Sequence, residues 1–276
     1  MTDFHVLSPG RHAPPQVTLR RITMRDVFGA LADGWDDFMA RPSHYFFVAV
    51  LYPFMAFALY FWVSRGNALQ LIYPMITGFA LLGPVAALGF YEISRRREQG
   101  LDDRWRHALG VLRSPALPAI AVLGLWLLIL FLAWIYTAEA LYNATMGPGR
   151  AVGLGDMLWQ IMTTRAGWTL IVLGNLLGAV FALVTLCTTA IAFPLLLDRD
   201  VGLVTAVSAS TRAVLDNPGP MLGWGLIVAG CLALGALTLM IGLIIVLPVL
   251  GHATWHLYRA LVPAPPGGPG GQQAPD

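Results

Sequence analysis

The chain has 276 residues, of which 57% are hydrophobic and only 12% charged, with a net charge of +2. A soluble domain carries about twice that charged share and could not hide so much apolar surface from water, whereas a bilayer accommodates it. All 17 basic residues are arginine, which excludes the P-loop lysine and Schiff-base mechanisms; the two cysteines, Cys187 and Cys231, lie inside apolar runs and make no disulfide framework.

Residues 1–20 are polar and contain proline, without the apolar core of a cleaved signal, and are expected to form a flexible tail. An amphipathic helix follows, with Phe28, Leu31, Trp35 and Phe38 on one face and Asp33, Asp36 and Asp37 elsewhere. Thr23 and Asp26 have the spacing of a capping box, and Pro42 is the stop. Residues 45–64 and 69–91 are the first two predicted spans, the second interrupted by Pro74 and Pro84.

A second amphipathic segment places Leu101, Trp105, Ala108, Leu109 and Leu112 against Asp102, Asp103, Arg104 and Arg106, and stops at Pro115. The third span is residues 116–137. In the connection 138–166, Asp156 is placed to cap a short helix bearing Met157, Leu158, Ile161 and Met162. The fourth span, residues 167–197, is longer than a perpendicular crossing needs, so tilt or a kink near Pro194 is expected. A third, weaker amphipathic segment carries Val204, Val207, Val214 and Leu215 and ends before Pro218. Residues 219–262 contain one charge, Arg259. As a single helix they would reach roughly 66 Å, twice a hydrocarbon core, so they must form two spans with a tight turn near residues 235–240. The Pro- and Gly-rich tail 263–276 is expected to be disordered.

The expected fold is therefore all-α, with six transmembrane helices over residues 21–262. They form three hairpins, each preceded by an interfacial helix lying in the headgroup layer. Arginine placement orients it. Fourteen arginines fall in the two terminal segments and the second–third and fourth–fifth connections, against Arg65, Arg150 and Arg165 on the other side. Both termini are then cytoplasmic.

Chemistry-bearing residues are few. His252 and His256 share a helix face, but Ala253 stands where a zinc protease motif needs Glu, and one helix cannot clasp a haem from both sides. No cofactor, metal or catalytic group is expected. Gly174, Asn175 and Gly178 form a small-xxx-small pattern, read as helix packing or, alternatively, the lining of a polar path. Tyr91-Glu92 and Trp255-His256 stand at equal offsets after Pro84 and Pro248, as do Arg95 and Arg259. Glu92 is therefore expected to pair with His256 or Arg259, as a structural ion pair or a titratable gate.

The stretches WDDF from Trp35 to Phe38, GPVAALGFYE from Gly83 to Glu92 and LPVLGHATWHLYR from Leu247 to Arg259 resemble a family of bacterial inner-membrane proteins of unknown function, DUF2189. The resemblance covers most of residues 20–262. It implies a six-helix membrane fold and no established activity. The expected role is a non-enzymatic membrane scaffold or assembly protein, with a channel or transporter for a small solute as the alternative. Expected partners are the lipid bilayer and other membrane proteins or further copies of the chain, not nucleic acid.

Overall fold

The computed structural model describes residues 17–40, 61, 69–147, 153–238 and 240–263. The predicted first span, apart from Phe61, lies outside them, as do Pro42, residues 1–16, the tail 264–276 and the side chains of Trp105, Arg106 and Leu109. Among the described residues every regular element is helical. Helix α1 is Met24–Ala40. A broken run follows: α2 (Ile72–Leu81), α3 (Gly83–Ala86) and α4 (Leu88–Glu98). A 3-10 segment, Trp105–Arg113, leads into α5 (Leu117–Met146). Then come α6 (Leu154–Thr163), α7 (Arg165–Thr189), α8 (Ala192–Asp198), α9 (Leu203–Asp216), α10 (Pro218–Leu237) and α11 (Leu243–Leu261). Three stretches are long and apolar enough to cross a membrane: α5, α7 continued through α8, and α10. The protein is an all-α, multi-span membrane protein.

Proline chemistry explains the breaks. Pro194 has no N–H for the Ala190 carbonyl, and its ring crowds that carbonyl, so α7 ends at Thr189 and α8 restarts at Ala192. The fully buried Ser210 of α9 accepts a hydrogen bond from the Ile191 N–H at 3.3 Å, supplying a partner where the ladder is broken. Pro84 does the same to the carbonyl of Ala80, and the chain passes Leu82 through a tighter bond to Phe79 at 3.1 Å. The last apolar run turns between α10 and α11. There Met240 takes φ 67°, the Thr238 hydroxyl donates to the Gly235 carbonyl at 2.8 Å, and the same oxygen accepts from Gly242 N–H at 2.8 Å. A Cβ on Gly235 would stand 2.6 Å from a Leu243 methyl, so the turn needs glycine there.

The core sits at one end. Helix α8 and the C-terminal half of α11 pack with α9 and the start of α5, burying Phe193, Leu195, Trp255, Leu257, Tyr258 and Leu261. By contrast the apolar side chains of α7 largely face outward, as lipid requires. The buried end carries the arginines: Arg20 N–H bonds the Leu261 carbonyl at 2.9 Å, and Ile22 N–H bonds Asn217 at 2.8 Å. Residues 17–20, expected to belong to a flexible tail, are thus strapped to the body, with Val17 buried and Arg212 reaching its carbonyl.

The amphipathic segments differ from expectation in the same sense: each presents its packed face to a helix. Half of the capping box of α1 forms: the Asp26 carboxylate accepts from the Thr23 N–H at 2.7 Å, but the Thr23 hydroxyl donates to that carboxylate, and the Asp26 N–H goes to the Thr23 carbonyl instead. The buried face of α1 is Val27, Ala30, Gly34, Asp37 and Phe38, set against α11, while Phe28, Trp35 and Met39 are exposed. Gly34 decides this face, because a Cβ there would lie 2.5 Å from the Ala253 backbone nitrogen. In α9 the inner face is the small-residue stripe Ala206, Ala209, Ser210 and Ala213, joined by Val214; Val204 and Leu215 point out. The segment 105–113 is 3-10 rather than α, with Val111 buried and Leu112 exposed. Helix α6 starts after Gly153, so Asp156 sits in its first turn rather than at the cap.

Candidate functional site

Two linked polar clusters occupy the arginine-rich end. The first joins α1, α4 and α11. Asp37 has one carboxylate oxygen facing three groups: the Ser94 hydroxyl, which donates to it, His256 Nε2 at 2.9 Å and, further off at 3.8 Å, His252 Nδ1. Arg97 approaches the other oxygen at 3.3 Å. Ser94 has a single proton and gives it to an acceptor-only carboxylate. His252 Nδ1, 2.7 Å from the serine oxygen, must therefore be the donor in that pair. The result is one continuous chain from buried His252 through Ser94 and Asp37 to His256, which lies at the edge of an open groove between α1 and α11. Burial alone would raise the Asp37 pKa, but hydrogen bonds from His256 and Ser94 outweigh it and hold the carboxyl below its ordinary value.

This cluster contains Ser, His and Asp but is not a nucleophilic triad. There the carboxylate orients the histidine, which activates the serine; here the serine stands between them and is buried. Among the described residues no group of three or more His, Cys, Asp or Glu is arranged to hold a metal ion.

The second cluster is built on Arg259. Its Nη atoms fork onto Asp198 at 2.8 and 3.0 Å while its Nε donates to Glu98 at 2.9 Å. Its guanidinium carbon lies 4.8 Å from the Trp255 ring centroid and 5.4 Å from that of Tyr258. Those two side chains also donate to the same carboxylates, Trp255 Nε1 to Glu98 at 2.9 Å and the Tyr258 hydroxyl to Asp198 at 2.6 Å. One arginine thus ties the C-termini of α4, α8 and α11 together.

The pairing expected for Glu92 is corrected. Glu92 is buried but bonds the two arginines of its own helix, Arg95 at 2.8 Å and Arg96 at 3.0 Å. His256 pairs with Asp37 and Arg259 with Glu98 and Asp198. Intrahelical neighbours at i+3 and i+4 are always within reach of a glutamate, whereas a partner on α11 needs the right helix rotation. Asp37, Glu98 and Asp198 were missed by the sequence reading. Asp37 sits three residues after Gly34 on the packed face of α1; Glu98 and Asp198 each stand at the arginine-rich end of an apolar run.

Gly174 and Gly178 lie on the contact between α7 and α5. A Cβ on Gly178 would come 3.3 Å from the Trp134 ring, and one on Gly174 would come 3.7 Å from Leu141. Asn175 is exposed; it donates to the Ile171 carbonyl at 2.8 Å and accepts from the Tyr73 hydroxyl at 2.9 Å.

A cleft of about 780 Å³ opens beside Glu92, between the ends of α4 and α8, the 3-10 segment and the start of α5. Arg95, Arg96, Arg113 and Arg199 line it together with Glu92, Asp198 and Asp200. No curated protein and no solved structure matches the chain. Residues 72–198, which run from α2 to α8 and include most of this cleft but neither α1 nor α11, match the family described as Predicted integral membrane protein (DUF2189). The chain is accordingly a multi-pass integral membrane protein whose residues 72–198 are similar to the DUF2189 family.

Proposed function

We propose that the protein is a non-enzymatic scaffold of a bacterial inner membrane, with six spans and cytoplasmic termini, that holds a partner at its arginine-rich end. The observation that carries this reading is the set of interhelical ion pairs. Asp37, Glu98 and Asp198 clamp α1, α4, α8 and α11 into one surface, and the largest buried hydrophobic cluster among the described residues lies beside it. A fixed, charged platform on helices whose apolar side chains largely face outward is the build of a docking protein. A transporter would place its polar groups at the midplane. The second reading, a small-solute transporter, is supported by the proline breaks between α2 and α4 and between α7 and α8.

Purification of the tagged protein from its native membrane in mild detergent tests the choice. The scaffold reading expects a stoichiometric protein partner that is lost when Arg259→Ala loosens the platform. A lone oligomer that moves solute across proteoliposomes overturns it in favour of transport.

A further inference from the structure

We propose that the cleft between α4, α8, the 3-10 segment and α5 is a binding site for the phosphate of a phospholipid headgroup. This does not depend on whether the protein is a scaffold or a transporter.

The cleft has the chemistry of a prepared anion site. Glu92 takes Nε and Nη2 of Arg95 at 2.8 and 3.2 Å and Nε of Arg96 at 3.0 Å. One buried carboxylate cannot neutralise two guanidinium groups, so the pair keeps an excess positive charge. It also keeps the two side chains fixed, which removes much of the ordering cost of gripping a ligand. Arg95 Nη1 and Arg96 Nη2 remain as donors, since the other Arg96 nitrogen goes to the Asp102 carbonyl at 3.1 Å. Arg113, which also lines the cleft, makes no ion pair among the described residues. The two oxygens of Asp198 are already taken by Arg259 and Tyr258, leaving Asp200 as the exposed opposing charge. Pro115 and Ala116 bring the N-terminus of the 30-residue α5 to the same space; Ser114 takes the Ala116 and Leu117 N–H groups, and the helix dipole adds to the arginines.

The surroundings point to a lipid as the source of the phosphate. The cleft floor is apolar, with Val111, Ala116, Leu196 and Leu197. At its rim Leu112 is 64% exposed, directly beside the first turn of a helix long and apolar enough to cross the membrane. A free phosphate has no use for such a rim, whereas the glycerol and first methylenes of a lipid would cover it. A guanidinium group near the membrane surface attracts anionic lipid in any case; the cleft supplies the specific geometry.

The test uses the full chain in a zwitterionic detergent, with short-chain phosphatidylglycerol, phosphatidylcholine and inorganic phosphate added separately and thermal stability and lipid retention by native mass spectrometry as readouts. Arg96→Gln and Arg113→Gln are compared with Arg21→Gln, an exposed arginine outside the cleft. Phosphatidylglycerol should stabilise and be retained by the wild type. Either cleft substitution should weaken its binding by about tenfold, the effect of one lost charge-assisted hydrogen bond, and Arg21→Gln should leave it unchanged. Equal weakening by all three variants would show diffuse surface charge and overturn the site. Equal stabilisation by inorganic phosphate would overturn the lipid assignment, and absence of any response would overturn both.

Discussion

Arg259 spends its whole guanidinium group on two carboxylates from different helices, with the neighbouring Trp255 and Tyr258 rings packed against it. Its replacement by Ala leaves Asp198 and Glu98 without their main counter-charge at a largely buried position. Such a loss costs about 3–5 kcal/mol, so the detergent-solubilised protein should show a much lower melting temperature. Arg259→Lys should recover only part of this, because a point charge cannot fork. Asp37 makes a pH-dependent contribution whose sign follows from its pKa, which lies below the ordinary 3.8 in the folded protein. Its stabilisation is complete above that value and is lost as the pH falls through the lower folded-state pKa. Melting curves of wild type and Asp37→Asn should therefore differ most near neutral pH and converge under strong acid; a gap that stays constant to pH 3 would refute the assignment. The same geometry decides which residues are coupled. Substitutions of Asp37 and His256 should be non-additive by about 0.5–3 kcal/mol, whereas Glu92→Gln and His256→Ala should add, since they share no bond.

Helix–helix contacts here depend on single small residues. Gly34 lets α1 approach α11 until a Cβ would overlap the Ala253 backbone, while Gly29 on the same helix has open space around its own. Gly34→Ala should loosen α1 and expose the N-terminal segment to protease, with overpacking costs of about 1–3 kcal/mol. Gly29→Ala should be neutral or stabilising by up to about 1 kcal/mol through helix propensity. On α7 the closer approach at Gly178 makes Gly178→Leu the more damaging change, with Gly174→Leu milder; equal tolerance of both, judged by thermal stability, would show that the α5–α7 contact is dispensable. The α7–α8 break has its own signature residue. Ser210→Ala removes the acceptor for the Ile191 N–H at a buried site, and an unpaired buried donor costs about 1–3 kcal/mol.

At the scale of the whole molecule, packing and charge are concentrated at one end. That end gathers the last turns of α4, α8 and α11, the first turns of α5 and α10, and the strapped segment before α1. The spans beyond it rely on lipid to cover their apolar side chains. Delipidation should therefore loosen α7 and α10 before the arginine-rich end, and hydrogen exchange in detergent should show α8 and the C-terminal half of α11 as the slowest-exchanging segments. Orientation is a separate expectation drawn from the arginine count. A reporter fused after residue 262 should be active only in the cytoplasm, and periplasmic activity there would reverse the assigned topology.

The apolar run lengths and the near absence of charge within them determined the membrane class, because a hydrocarbon layer leaves the backbone little choice but helix. Proline positions also marked local breaks in advance: Pro194 for the end of α7, and Pro218 for the corner between α9 and α10. Helix rotation was not legible. Reading α1 by hydrophobicity alone grouped Phe28 and Trp35 with Leu31 and Phe38 on one apolar face turned to the headgroup layer and left Asp37 off it. The tertiary structure turned the helix so that Gly34 meets Ala253 and Asp37 goes inward with its hydrogen-bonding partners. In a membrane protein, apolar side chains are stable facing either lipid or a neighbouring helix, so periodicity does not tell the two apart. Close approach of small residues and satisfaction of buried carboxylates do, and both depend on residues far apart in the chain: Asp37 with His256, and Asp198 with Arg259.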